Sequence, residues 1–162
     1  MVLKNSTSKL LSNPFRNLEG YNCFGCSPDN PHGLRMQFSD EGDSVISIWD
    51  PTNNFQGWHN ILHGGIQATL MDEIASWVVF AKLGTTGVTS KMEVKLAKPM
   101  QMDKGPVRLV AKLREMRRNI AVIDVVLFDC EGTACAEGLF HYFTYPEGVA
   151  KERLSYPGSE KL

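Results

Sequence analysis

Between residues 59 and 81 the apolar positions fall three and four apart, at Ile66, Leu70, Ile74, Trp77, Val78 and Ala81. That spacing predicts an α-helix. Ala68, Met71, Ala75, Val79 and Phe80 fill the other faces. A helix apolar nearly all round is one that the rest of the fold covers. It opens on Gly64-Gly65 and ends at Leu83-Gly84-Thr85-Thr86-Gly87, where glycines supply the stop. At about 1.5 Å per residue it is too short, and too often interrupted by polar groups, to cross a bilayer.

The flanking pattern has period two. Residues 34–38 and 45–49 alternate around Asp40-Glu41-Gly42-Asp43, which predicts strand, turn, strand. After the helix, 88–97 sets Met92, Val94 and Leu96 on one face and Lys91, Glu93 and Lys95 on the other. Segments 107–116 and 120–128 pair through Arg117-Arg118-Asn119, and Asp129-Cys130-Glu131-Gly132 turns the chain into 134–145. Short turns between consecutive strands make the sheet antiparallel. Two strands, a buried helix and four strands form an α+β domain with the helix on one sheet face. Alone, such a sheet leaves its edges open and its helix half covered, and edge-to-edge pairing of two copies would cure both. The expected domain is 34–146. An N-terminal segment, 1–33, precedes it: a polar tail and then an irregular loop dense in turn formers. A loose charged tail, 147–162, follows.

The chain has 162 residues, enough for one sizeable core. A net charge of −1 and the lack of an aromatic–basic stripe argue against nucleic acid. The N-terminus lacks the continuous apolar core of a secretory signal, so a cytoplasmic location is expected. Four cysteines, unevenly placed, make no disulfide scaffold. Cys23-x-x-Cys26 invites a zinc reading, yet zinc wants four ligands and only His32 lies close in sequence. Cys130 and Cys135 flank a hairpin turn instead of forming a second knuckle. Both cysteines of the pair are therefore read as small apolar residues, and neither metal nor cofactor is expected.

Inside the apolar helix sits an acid pair, Asp72-Glu73, with Ala68, Thr69, Ala75 and Ser76 as the neighbours of Asp72 on the helix surface. A carboxylate there is costly unless it is hydrogen-bonded, protonated or functional. The alternative is that the pair emerges at a solvated edge. His63-Gly64-Gly65, with Asp72 nine positions after the His in Leu-Met-Asp-Glu, resembles the signature of the PaaI-like acyl-CoA thioesterases of the hotdog-fold superfamily. Phe55-Gln56-Gly57-Trp58, Gly87-Val88-Thr89 and Lys98-Pro99 fit the same pattern, and the resemblance runs from residue 23 to residue 145. It implies a long helix wrapped by a curved antiparallel sheet and hydrolysis of an acyl-CoA thioester to free acid and CoA. It also implies a homodimer or homotetramer with active sites at the subunit interface. In some relatives a segment similar to 23–34 precedes the domain, where it is structural or lines the acyl-CoA entrance; Ser27 stands here where Gly is commoner.

The first amides of a helix lack intrahelical partners and carry partial positive charge, and Gly64 and Gly65 let a ligand carbonyl approach them. A thioester carbonyl placed there would be polarised and its oxyanion stabilised. Asp72 lies roughly 12 Å farther along the helix by rise alone, so the Asp72 serving those glycines would come from a second subunit. It would act as general base on water or attack the thioester to form an anhydride. His63 contacts the thioester, orients the turn or simply caps it; Glu73 is an auxiliary acid or a solvated one. The resemblance also implies a water-positioning Ser or Thr on the next strand. Thr89 fits when counted back from Pro99, while strand parity sets Ser90 on the Met92 face. Relatives carry Asn or Gln about six residues before the His; here Gly57 holds that position, leaving Gln56 and Asn60 as candidates. Arg114, Arg117 and Arg118, with Lys91 or Lys95, either meet the CoA phosphates or form a solvated hairpin. Trp58, Trp77, Phe80 and Met71 line an acyl pocket or belong to the core. The competing function is a hotdog module that binds acyl-CoA without hydrolysing it. Such a binder has no need of Asp72.

Overall fold

The structure is a computed structural model that describes residues 8–162. Residues 1–7 of the polar N-terminal segment lie outside the described residues. The predicted helix is α1, Gly64–Leu83. His63 caps its start, and Gly84, at φ 64°, ends it in the left-handed region that glycine adopts without strain. Only Gly65 within it is exposed. Leu70, Met71, Ile74, Ala75, Val78 and Val79 are fully buried, and Trp77 stacks on Phe38 with ring centroids 4.4 Å apart. Among the described residues no helix is long and apolar enough to cross a membrane.

Seven strands wrap the helix in one antiparallel sheet: β1 Lys9–Leu10, β2 Ser39–Glu41, β3 Ser44–Trp49, β4 Gly87–Leu96, β5 Val107–Arg117, β6 Ile120–Phe128 and β7 Ala134–Thr144. Their spatial order is β1-β2-β3-β5-β6-β7-β4, so the strand that follows the helix in sequence is an outer edge and pairs only with β7. The central strands bury alternate residues: Leu109 and Ala111 of β5, Ile123, Val125 and Leu127 of β6. At Gly138 of β7 the helix comes closest; a Cβ there would lie 2.8 Å from the Phe140 ring and 3.1 Å from Met71 Cε. This is the wrapped-helix fold that the resemblance implied.

Two segments differ from expectation. Residues 34–38 are not a strand. Leu34, Met36 and Phe38 are buried in alternation as the sequence suggests, but the amides of Leu34 and Met36 bond to the carbonyls of Phe24 and Gly25, at 2.7 and 2.9 Å. The 21–34 loop folds back to take the hydrogen bonds a neighbouring strand would have taken, and the ladder begins only at Ser39. The stretch 147–162, expected as a loose tail, forms helix α2, Glu147–Leu154, and packs on the domain. Ala150, Tyr156 and Leu162 are buried, and the Tyr156 hydroxyl donates to the Phe80 carbonyl of α1 at 2.8 Å. Three apolar contacts spread over sixteen residues, among charged and Pro/Gly positions, leave no period to read.

The edge strand β4 departs from its alternating pattern in another way. Met92 and Leu96, on its apolar face, are 50% and 48% exposed in the single chain.

Candidate active site

Asp72 lies in the third turn of α1, half-buried beneath the outer edge of the sheet. Its Oδ1 accepts the Tyr142 hydroxyl at 2.6 Å and the Thr89 hydroxyl at 2.8 Å. The Tyr142 hydroxyl also reaches the Asp72 carbonyl, at 2.7 Å. Thr89 and Tyr142 stand directly opposite each other on β4 and β7, so one cross-strand pair clamps a single carboxylate oxygen. Oδ2 has no hydrogen-bond partner among the described residues. Burial, and then the Asp72 charge, push the Tyr142 hydroxyl far above the usual tyrosine range, which keeps it a neutral donor.

The choice between Thr89 and Ser90 turns on a bulge. The β4–β7 register shifts between Thr89 and Lys91, so Ser90 is an extra residue and the parity counted back from Met92 fails there. Ser90 Oγ donates to the His141 carbonyl at 3.0 Å and does not touch Asp72. Tyr142 was not anticipated. In sequence it is one buried member of an alternating strand, 70 residues from its partner.

At the helix start, His63 Nδ1 accepts from the Gly65 amide at 2.9 Å. That amide, expected to face a ligand, is already occupied by the cap; the Gly64 and Ile66 amides of the same turn have no partner among the described residues. Gln67 is buried and ties the turn to the Leu62 carbonyl at 3.0 Å. The two amide side chains in the preceding loop hold backbone. Gln56 Oε1 accepts from the Asn60 amide at 2.8 Å, and Asn60 Oδ1 accepts from the Asp103 amide at 3.0 Å. A cleft of about 550 Å³ opens beside the turn, lined by Gly57, Trp58, Ile61, Leu62, His63 and Gly64. Of the aromatic and Met candidates for an acyl pocket, Trp58 lines this cleft and is 86% exposed, whereas Met71 and Trp77 are core and Phe80 packs between Phe15 and Tyr156.

Within one chain these parts stand apart. Gly64 abuts Leu96 at one end of β4, while Asp72 bonds to Thr89 near the other. Gly64 and Asp72 are eight residues apart on α1, roughly 12 Å by helix rise.

Glu73 turns away from Asp72, toward the N-terminal loop. Its carboxylate fills the space where a Gly25 side chain would be. The Cys23 thiol lies 3.7 and 3.8 Å from the two carboxylate oxygens. Burial, and next the Cys23 sulfur, raise the Glu73 carboxyl to about 7. The neighbouring Cys26 thiol is the chief cause that lowers the Cys23 thiol, against the opposing effect of burial. His32 does not join this group; among the described residues Cys23, Cys26 and Glu73 make it up.

Of the basic residues proposed to meet phosphate, four are already paired within the chain: Lys91 with Glu93, Lys95 with Glu137, Arg114 with Asp124 and Arg117 with Glu115. Arg118, at φ 56° in the β5–β6 turn, makes no ion pair among the described residues.

The family model of the thioesterase superfamily matches residues 59–136, which include the His63-Gly64-Gly65 turn, Asp72 and Thr89. No curated protein matches the sequence. Among solved structures, a thioesterase superfamily protein is 22% identical with a TM-score of 0.66, over 72% of this chain and 57% of its own, so this chain spans little more than half of that relative. A hypothetical thioesterase from Streptococcus pneumoniae, solved with coenzyme A, is 25% identical over 63% of this chain and 81% of its own, with a TM-score of 0.59. The same pneumococcal protein was also solved with one aspartate, and separately one threonine, changed to alanine. A Streptococcus mutans protein bound to acetyl-CoA is 19% identical over 80% of this chain and 96% of its own, with a TM-score of 0.64.

Proposed function

We propose that this chain, a hotdog-fold member of the thioesterase superfamily, hydrolyses an acyl-CoA thioester to free acid and CoA, in the manner of the PaaI-like branch. The observation that carries the proposal is the Asp72 carboxylate: Thr89 and Tyr142 fix one oxygen, and the other is left without a partner among the described residues. A module that only bound acyl-CoA would gain nothing from desolvating and aiming that charge. The pneumococcal relative bound coenzyme A, and its altered residues are of the two types, Asp and Thr, that meet here.

The proposed site needs two subunits. Antiparallel pairing of two β4 edges about a two-fold axis would lay the Leu96 end of one strand against the Thr89 end of the other. The first-turn amides of one protomer would then face Asp72 of the second, and the exposed Met92 and Leu96 would be covered. The thioester carbonyl would sit on the Gly64 and Ile66 amides, with the Gly65 amide added wherever His63 gives it up. Asp72 either takes a proton from water as its oxygen attacks the carbonyl carbon, or attacks that carbon itself to give an anhydride that water opens. In both routes the C–S bond breaks and CoA leaves as the thiol. The chain's four free cysteines accord with a reducing compartment, and the reading places the protein in the cytoplasm.

The test is thiol release from a panel of acyl-CoAs by the wild type and by Asp72→Asn, which keeps the shape and removes the base. A rate loss on the order of 10² or more in the variant supports the proposal. If the wild type binds acyl-CoA and releases no thiol from any member of the panel, the enzyme reading fails and the binding module replaces it.

A further inference from the structure

The N-terminal loop brings two thiols and a carboxylate to one point, and the thioesterase reading uses none of them. We infer that Cys23, Cys26 and Glu73 form a binding site for a soft divalent cation, with zinc as the best fit, which fastens the N-terminal loop to the central helix.

The donor geometry is the first support. One ligand atom from each residue lies within 4.8 Å of the others, and the Cys23 sulfur stands 3.7 and 3.8 Å from the Glu73 oxygens. In a tetrahedral site with Zn–S about 2.3 Å and Zn–O about 2.0–2.2 Å, the S···O edge is about 3.5–3.7 Å. Cys23 and Glu73 therefore already stand at about the edge length of a coordination tetrahedron, with the Cys26 sulfur within 4.8 Å of both, and water would take the fourth position. Two thiolates with one carboxylate select zinc over the hard cations magnesium and calcium.

The surroundings are the second support. The Cys-x-x-Cys spacing is that of half a zinc knuckle, and the loop is closed by the Ser27 amide bonding to the Cys23 carbonyl at 3.2 Å. Around the Cys26 sulfur stand the Tyr21 hydroxyl at 3.1 Å and Asn13 Nδ2 at 3.6 Å. Such outer donors orient metal-bound thiolates. Gly25 is the residue that lets the loop close over the Glu73 carboxylate, because any side chain there would occupy the same space.

The experiment uses the full chain, reduced with a phosphine, and titrates it with Co²⁺, monitoring the thiolate-to-metal charge-transfer band in the near ultraviolet. The expected result is one Co²⁺ per chain, displaced by Zn²⁺. The band should vanish in Cys23→Ser and in Cys26→Ser, and survive in Cys130→Ser. Glu73→Gln should keep the band but bind at least about 10-fold more weakly, since losing a direct ligand costs no less than losing an outer partner. Far-ultraviolet circular dichroism of each variant shows whether it is folded. Should Cys26→Ser unfold, Cys23→Ser and Glu73→Gln still decide the matter. No saturable binding by the wild type, a band that persists without Cys23, or Glu73→Gln binding as tightly as the wild type would overturn the site. All of these readouts are independent of thioester hydrolysis, so the metal site and the enzymatic reading can fail separately.

Discussion

Replacing Tyr142 by Phe removes one oxygen and keeps the ring that packs beneath α1. That hydroxyl is almost fully buried, at 2% exposure for the residue, and donates to Asp72 Oδ1 at 2.6 Å and to its carbonyl at 2.7 Å. A hydrogen bond to a charged acceptor is worth about 1.5–3 kcal/mol. Thr89 remains on the same oxygen after the change, and no buried donor is stranded, so the lower end of that range is expected. A loss of about 1.5 kcal/mol should move the urea midpoint down by about 1 M, given an m-value of about 1–3 kcal/mol/M. If the clamp also aims the carboxylate in the reaction, thiol release should fall by about tenfold, since each 1.4 kcal/mol on the barrier is a factor of ten. The decisive assay is a double-mutant cycle on stability. In an Asp72→Asn background the acceptor is neutral and the bond weaker, so Tyr142→Phe should cost about 1 kcal/mol less than in the wild type. Costs that agree within about 0.3–0.5 kcal/mol in the two backgrounds would mean that Tyr142 supports the sheet and not the charge, and the reasoning would be refuted.

Two further outcomes follow from the same geometry. His63→Ala removes the cap on the Gly65 amide and should lower stability by about 0.5–2 kcal/mol while hydrolysis persists; loss of hydrolysis with no loss of stability would make His63 a substrate contact instead. Tyr21 and Tyr142 are held above the usual tyrosine range chiefly by burial, and Tyr156 is raised to about 12 for the same reason. Below pH about 10 these phenols are neutral whether the chain is folded or not; above it the unfolded chain loses protons that the folded chain keeps, so stability falls as pH rises. Urea melts from pH 9 to 12, read with tyrosinate absorbance near 295 nm, should show most of the tyrosinate signal rising together with unfolding. A full signal from an intact fold near pH 10 would contradict the burial.

The parts of this fold visible in the sequence are those in which neighbouring residues carry the information. The three- and four-residue spacing from Ile66 to Ala81 gives α1 almost to its ends, and alternation gives the four strands after it. The His63-Gly64-Gly65 turn and Asp72 are also local, because one helix holds both. What was hidden depends on chain brought in from afar. Tyr142 is an ordinary buried strand residue until β7 lies beside β4. Glu73 becomes a neighbour of Cys23 only through a contact across 50 residues, whereas nearness in sequence offers the cysteines only His32. The bulge after Thr89 is a one-residue defect that parity cannot foresee. Helix α2 was missed because its burial rests on a few residues such as Ala150 and Tyr156 within charged sequence.

The position of β4 at the rim of the sheet has a consequence for how the molecule comes into being. Its one neighbour is β7, and Thr89 faces Tyr142 across 53 positions of chain. While the chain emerges from a ribosome, β4 appears early but has no strand to join until residue 144 has left the exit tunnel. Non-local pairing of this kind is the slow part of folding. The clamp on Asp72 therefore closes only once β7 is in place, and any truncation before β7 leaves β4 as an unpaired strand with Met92, Val94 and Leu96 on one face, open to pairing with another chain.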